Sequence, residues 1–253
     1  MMKTVAIIQA RMSSSRLPGK VLKEAGGLPL LERMVERVNR SARVDETLIA
    51  TTIDPSDDAI IDFCTRQQIP CFRGSLLDVL DRYYQAALSC KAEIVVRLTG
   101  DCPFIDPVLV DETIEALQHE GADFACNRLP PPFTRTYPIG LDVEVCTFKA
   151  LEAAWKNASE KHEREHVMPY LYEVPGRFKV VKIDYPSDHG ALRWTVDTPQ
   201  DLEFVRAVYT AFDNRNDFSW LDVLHLVQAH PEIAEINANV QHKTMFDVDK
   251  RNL

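Results

Sequence analysis

The 253 residues read as an α/β protein, a mainly parallel but mixed sheet with helices layered on both faces. Three features carry that expectation. Short apolar runs rich in Val, Ile and Leu alternate with stretches of helical period; the links between them are short; and polar turns leave the runs at their carboxyl ends, where open α/β sheets place their ligands.

Val5-Ala6-Ile7-Ile8 is the first strand, apolar throughout, as a strand covered on both faces must be. Gln9 to Lys20 follows as a loop that Pro18-Gly19 keeps from closing into a helix. Leu30, Leu31, Met34, Val35 and Val38 recur at helical spacing and predict an amphipathic helix over 29–42 opened by Pro29. Residues 47–52 read as a strand, 55–67 as a helix, 69–72 as a short strand, 76–89 as a helix and 93–98 as another buried strand. A helix over 107–120 and a strand near 122–126 precede Asn127 to Gly140, whose four prolines, two arginines and two aromatics mark an excursion from the sheet. Leu141 to Cys146 alternates apolar and polar residues, the pattern of a half-exposed strand. Helices over 148–157 and 163–173, strands over 178–183 and 191–196, and helices over 199–211 and 219–229 complete the pattern. Residues 1–236 are expected to form one domain with an excursion at about 127–185, and 237–253 a polar tail or an arm that docks elsewhere.

An apolar share of 45% beside 26% charged residues can bury a large core and argues against a disordered chain. No apolar stretch approaches the roughly 18–20 residues that span a bilayer, and the N-terminus lacks a signal-peptide core, so a cytoplasmic protein with no membrane partner is expected. The six cysteines, at 64, 71, 90, 102, 126 and 146, include no CxxC pair; reduced thiols in packing roles are expected, including Cys102. The net charge of −9 hides an asymmetry. Residues 1–43 hold nine Lys/Arg against three Asp/Glu, net +6, and the remainder 20 against 35, net −15. A locally positive end on an acidic protein suits a small anionic ligand, whereas nucleic-acid binding shows as a basic face with a high pI.

That positive end contains the loop. Ser13 to Ser15 and Gly19 leave backbone N–H groups accessible, and Arg11, Arg16 and Lys20 can neutralise phosphate oxygens, so Gln9 to Lys20 suits a polyphosphate; a solvated basic turn would share its composition. Asp101 ends a buried strand in the turn Thr99-Gly100-Asp101, and Asp197 ends the run Arg193-Trp-Thr-Val before Thr198-Pro199 opens a helix. Two strand-end aspartates in one sheet favour a shared Mg²⁺ completed by phosphate oxygens and water, although Asp197 alone could simply cap its helix. Asp142 and Glu144, two apart on one predicted strand, share a face and suit substrate hydroxyls, a second metal or plain solvent. His166, on the Glu163-Arg-Glu-His helix, could donate to a phosphate or sugar oxygen or be purely structural.

Arg11-x4-Arg16-Leu-Pro-Gly-Lys20, Thr99-Gly-Asp-Cys-Pro103, Gly140-Leu-Asp-Val-Glu144, Arg164-Glu-His-Val167 and Thr195-Val-Asp-Thr-Pro-Gln-Asp-Leu202, in this order, resemble the cytidylyltransferase family of acylneuraminate and Kdo activation, nearest its spore coat polysaccharide branch. The resemblance covers roughly residues 3–210. It implies a Rossmann-like nucleotide-diphospho-sugar transferase fold and transfer of CMP from CTP to the anomeric hydroxyl of a keto-sugar acid with release of pyrophosphate. By motif position it implies Arg11 and Lys20 on the triphosphate with Arg16 assisting, Asp101 and Asp197 on Mg²⁺, Gln9 and Ala10 near the nucleotide, and Arg73 and Arg82 near the base. Arg128 and Arg135 in the excursion become candidates for the sugar carboxylate, and a homodimer is implied.

A metal-dependent glycosyltransferase or a sugar-1-phosphate nucleotidyltransferase would share the fold. The first usually carries an Asp-x-Asp pair, which Asp101-Cys102-Pro103 is not, and the second a Gly-x-Gly-x-Arg start, which the loop lacks. A non-catalytic nucleotide-binding subunit would not require Asp101 and Asp197.

Overall fold

The computed structural model describes residues 2–129 and 135–241. In chain order the elements are β1 (Thr4–Gln9), the small hairpin β2 (Glu24–Ala25) and β3 (Leu28–Pro29), α1 (Leu30–Val38), β4 (Glu46–Thr52), α2 (Asp58–Gln67), β5 (Cys71–Gly74), α3 (Val79–Ser89), β6 (Ile94–Thr99), α4 (Pro107–Glu120) and β7 (Phe124–Cys126). There follow β8 (Glu144–Thr147), α5 (Phe148–Asn157), α6 (Lys161–His166), α7 (Pro169–Tyr172), β9 (Val180–Lys182), α8 (Pro199–Ala211), α9 (Trp220–Ala229) and α10 (Pro231–Glu235).

The main sheet has seven strands in the order β5-β4-β1-β6-β8-β7-β9. β5, β4, β1 and β6 run parallel; β8 lies antiparallel to both β6 and β7, and β9 returns parallel to β7. The expected mainly parallel, mixed sheet is what forms. The alternation of strand side chains builds two cores. Ala6, Ile8, Val96 and Leu98 face α1, α4 and α8, and Val5, Ile7, Val95 and Cys146 face α3, α5 and α7. No helix among the described residues is long and apolar enough to cross a membrane.

Several expected boundaries move. The helix read over 29–42 stops at Val38, and the strand read over 69–72 forms two residues later, at Cys71–Gly74. The helix read over 163–173 is two short helices, because Val167 takes φ +72° and Pro169 then opens α7 without an N–H to continue the ladder. The strand read over 191–196 does not join the sheet. It makes one isolated parallel bridge, Arg193 to Ile139, with Trp194 N–H donating to Ile139 O at 2.7 Å. The half-exposed strand read over 141–146 is β8, which starts only at Glu144 and is buried through Cys146. Asp142 therefore precedes it, and the shared face expected for Asp142 and Glu144 is lost. Of the excursion, residues 130–134 lie outside the described residues, as do 242–253 of the expected tail.

Candidate active site

Parallel registration brings three strand ends together, with Gln9 beside both Thr99 and Ala50. Gly100 N–H donates to Gln9 O at 2.8 Å, and a Cβ at Gly100 would stand 3.0 Å from that carbonyl. The close approach leaves little room for a side chain at Gly100 and seats Asp101 against the start of the loop. On the other side, Val196 N–H donates to Asp101 O at 2.9 Å, so the 193–197 segment runs along the Asp101 turn although it is not a strand of the sheet. Gly140 makes that path possible. At φ +106° its Cβ would fall 2.6 Å from Thr195 N.

The two aspartates consequently converge on one atom. Lys20 Nζ donates to Asp101 Oδ2 at 2.7 Å, to Asp197 Oδ1 at 2.8 Å and to Val196 O at 2.8 Å. Arg16 Nη2 pairs with Asp197 Oδ2 at 2.8 Å, and Arg193 Nη2 reaches the same oxygen at 2.9 Å. Burial alone would raise the Asp197 carboxyl, but Lys20, Arg16 and Arg193 outweigh it and hold the group well below the usual carboxylate range. For Lys20 burial likewise opposes the charge, and the two aspartates overcome it and raise the ammonium above its ordinary value. Cys102, beside Asp101, is 3% exposed, and burial pushes its thiol far up, which suits a packing role.

Behind this cluster lies a brace. Asp201, fully buried, accepts from Asp197 N–H and Thr198 N–H at 2.9 Å each and, through its other oxygen, from Arg193 Nε at 2.9 Å. Asn237, just past α10, donates to that second oxygen at 2.9 Å and to Arg193 O at 3.0 Å.

A second group of charges lies on the α3 side of the sheet. Arg97 of β6 pairs through Nη1 with the buried Glu144 carboxylate and donates from Nη2 to Gln9 Oε1 at 3.2 Å. Arg82 of α3 donates from Nη1 to Ser75 O at 3.1 Å; burial, with Arg11 adding to it, pushes its guanidinium down to about 10. The Nε atoms of Arg82 and Arg97 are buried and have no hydrogen-bond partner among the described residues. Such donors are costly to leave unpaired.

The expected site residues thus separate. Arg16, Lys20, Asp101 and Asp197 meet at one point, while Gln9 and Glu144 meet through Arg97. Ala10 is buried and donates its N–H to Ala50 O at 3.2 Å, and Arg11 and Ser13 are half-buried in the loop. Arg135 makes a two-pronged pair with Asp142, at 2.5 and 3.1 Å. Arg128 is half-buried just past β7, near Cys126 and Tyr172, and His166 is the half-buried last residue of α6. Arg73 gives its donors to Thr52 O (2.8 Å), Asp54 O (3.0 Å) and Asp58 (2.7 Å), so it braces the turn after β4.

The fit of a divalent cation can be read from the chain itself. Two carboxylates and a backbone carbonyl already converge on a cation, the Lys20 ammonium, and Mg²⁺ binds through one or two carboxylates plus substrate phosphates. Asp101 and Asp197 fit it. No cluster of three or more His, Cys, Asp or Glu placed to hold a metal occurs among the described residues, which leaves phosphate and water to complete the shell.

The profile of the cytidylyltransferase family matches residues 5–247. The chain belongs to that family. It is similar to the spore coat polysaccharide biosynthesis protein SpsF of Bacillus subtilis, 35% identical over 90% of this chain and 95% of the relative, and to a 3-deoxy-manno-octulosonate cytidylyltransferase of Solibacter usitatus, 27% identical over 83% and 95%. A solved cytidylyltransferase of Leptospira borgpetersenii superposes with a TM-score of 0.87 at 32% identity, over 96% of this chain and all of its own. The molecule is a CTP-using nucleotidyltransferase with the Rossmann-like fold of its family.

Sequence reasoning passed over several residues of this cytidylyltransferase. Arg97 carried a signal, a lone cation inside the apolar run 94–98, which requires a buried partner. Thr198 and Asp201 carried another, the capping-box spacing that α8 realises. Asn237 carried none, since a polar residue in a polar segment is indistinguishable from a solvated one.

Proposed function

We propose that this cytidylyltransferase transfers CMP from CTP to the anomeric hydroxyl of a keto-sugar acid, sialate- or Kdo-like, with Mg²⁺ and with release of pyrophosphate. The observation that carries the reading is the convergence of Asp101 and Asp197 on Lys20, with Arg16 alongside, at the carboxyl end of β6. Displacement at an α-phosphate needs charge neutralisation, in-line placement and a good leaving group more than covalent help from the protein. Mg²⁺, when bound by Asp101 and Asp197, would supply Lewis-acid stabilisation of charge on the phosphate oxygens. Lys20 and Arg16 lie at the same point and would supply positive charge for the departing pyrophosphate. Arg193 and Asp201 hold Asp197 in orientation. On the α3 side, Arg82 and Arg97, the latter held by Glu144 and Gln9, would offer positive charge and donors to the nucleoside and the acceptor's polar groups.

The named activity of the Solibacter relative, on 3-deoxy-manno-octulosonate, supports a sugar acid as acceptor, and SpsF supports a role in surface polysaccharide synthesis. Arg128, Arg135, Asp142 and His166 are then candidates for the acceptor's edge. The reading extends to a cytoplasmic enzyme that draws on the CTP pool, and to a homodimer, which sedimentation tests. Pyrophosphate release is the decisive measurement. Crossing nucleoside triphosphates with keto-sugar acids is expected to give turnover with CTP and only when an acceptor is present; a clearly better nucleotide than CTP across the panel would overturn the assignment. Asp101→Asn is expected to lower kcat at least about a thousandfold with the fold intact by circular dichroism, and retained activity would remove Asp101 from the site.

A further inference from the structure

We propose that Asp57 is the positioning residue of the phosphate loop: a buried carboxylate that fixes the Met12 peptide and, through it, the path of residues 11–20. The inference rests on the reading that this loop takes the triphosphate.

Asp57 lies in the single 3-10 turn between β4 and α2 and is fully buried. Its Oδ1 accepts Met12 N–H at 2.6 Å, a contact across 45 residues of sequence. Its Oδ2 accepts Thr52 N–H at 3.2 Å and the Thr52 hydroxyl. That hydroxyl itself accepts Asp54 N–H at 3.1 Å, so its proton is directed at Asp57. Both oxygens of Asp57 therefore face donors, one from the loop and two from the end of β4.

Met12 is the pivot of the loop on its other side as well. Its carbonyl accepts the N–H groups of Ser14 and Gly19, each at 2.9 Å, closing the loop immediately before Lys20. Asp57 thus fixes the peptide entering Met12, and the carbonyl leaving the same residue is the one on which the Arg16–Lys20 segment is hung. The turn that carries Asp57 is in turn clamped by Arg73, whose guanidinium reaches Thr52 O, Asp54 O and Asp58. Arg73, expected near the base, acts in this arrangement through Asp57.

A group with an acceptor on both sides is what this place requires. An amide in the same volume offers one acceptor and one donor, so Asp57→Asn would set an N–H against Met12 N–H or against the Thr52 donors. A mispaired buried group would be relieved by movement of the loop, the less packed partner.

The test is titration calorimetry of the full chain with three probes: inorganic tripolyphosphate, CTP and cytidine. For Asp57→Asn we expect tripolyphosphate and CTP to weaken by the same factor, about tenfold, with cytidine binding and the KM of the acceptor unchanged and the melting transition still well above the assay temperature. Thr52→Val, which removes one donor and keeps the Met12 contact, is expected to weaken both phosphate probes by a smaller factor, about threefold. A folded Asp57→Asn protein that binds tripolyphosphate as the wild type does would overturn the proposal, as would an equal loss on cytidine. Should Asp57→Asn not fold, Thr52→Val decides: unchanged tripolyphosphate affinity sinks the idea. A wild-type protein that binds tripolyphosphate but not CTP would instead count against the nucleotide assignment and leave the Asp57 comparison intact.

Discussion

Lys20 holds the point on which the carboxylates of Asp101 and Asp197 converge. With its ammonium between two carboxylates, the resting site is internally neutralised, and the energetic consequence can be isolated in one substitution. Lys20→Met leaves Asp101 and Asp197 facing each other with Arg16 and Arg193 on only one of them, at an expected cost of about 2–4 kcal/mol. In chelator the variant should melt lower than the wild type by roughly 5 °C or more. Millimolar Mg²⁺ should recover much of that loss in the variant and little in the wild type, because only the variant offers a carboxylate pair with no resident cation. Scanning calorimetry of both proteins with and without Mg²⁺ checks it; equal responses would separate the two aspartates from metal binding. The same residue shows where sequence reading stopped. That Lys20 belongs to a cationic loop is visible in the sequence, but that it is held on two acids and not in solvent depends on contacts across 81 and 177 residues of sequence.

At the scale of elements, the segment 191–196 is the most informative disagreement. Its apolar alternation reads as a strand, yet Trp194 and Val196 are buried in the core that α1, α4 and α8 also line while the backbone makes only one isolated bridge. Periodicity reports which side chains are buried and does not report which backbone supplies the partner. The partner here is the turn at Ile139 to Gly140, and Gly140 sets how close the two chains come. Gly140→Ala forces a positive φ on a residue with a Cβ and drives that atom into the Thr195 amide, which predicts a loss of roughly 3 kcal/mol or more. Because 193–197 carries Asp197, turnover should fall further than the folded fraction. Activity per folded molecule, from active-site titration against circular dichroism, is the discriminating measurement, and an unchanged value would make Gly140 a stability residue alone. The long, strongly patterned elements β1, β4, β6, α4 and α8 were legible nearly to the residue. The break between α6 and α7 was legible in principle from Pro169, and the hairpin β2–β3 was not, two residues being too few to show a period.

Over the whole molecule, charge is distributed differently from the plain count. The N-terminal excess of +6 suggests an open anion trap, but its Arg16 and Lys20 are matched by Asp101 and Asp197, while Arg193, from the acidic part, pairs with Asp197 and Asp201. The acids come from the part of the chain with net charge −15: the parallel sheet sets Asp101, at the end of β6, beside the loop that follows β1, and the 193–197 segment, bonded to Ile139 O and Asp101 O, adds Asp197. A triphosphate alone would meet carboxylates as well as cations here, whereas on the proposed reading a divalent metal held by Asp101 and Asp197 would leave Lys20 and Arg16 to the phosphates. Binding should therefore depend jointly on both. Saturating CTP with Mg²⁺, at about a hundred times its dissociation constant, should stabilise the fold by about 2.7 kcal/mol. For a chain of this size that is roughly 5 °C in melting temperature. CTP in chelator and Mg²⁺ without CTP should each give well under half of that shift. If CTP in chelator gave the full shift, the paired aspartates would lie outside the nucleotide site, and the cations of the loop would have to be reached by some route that does not pass through them.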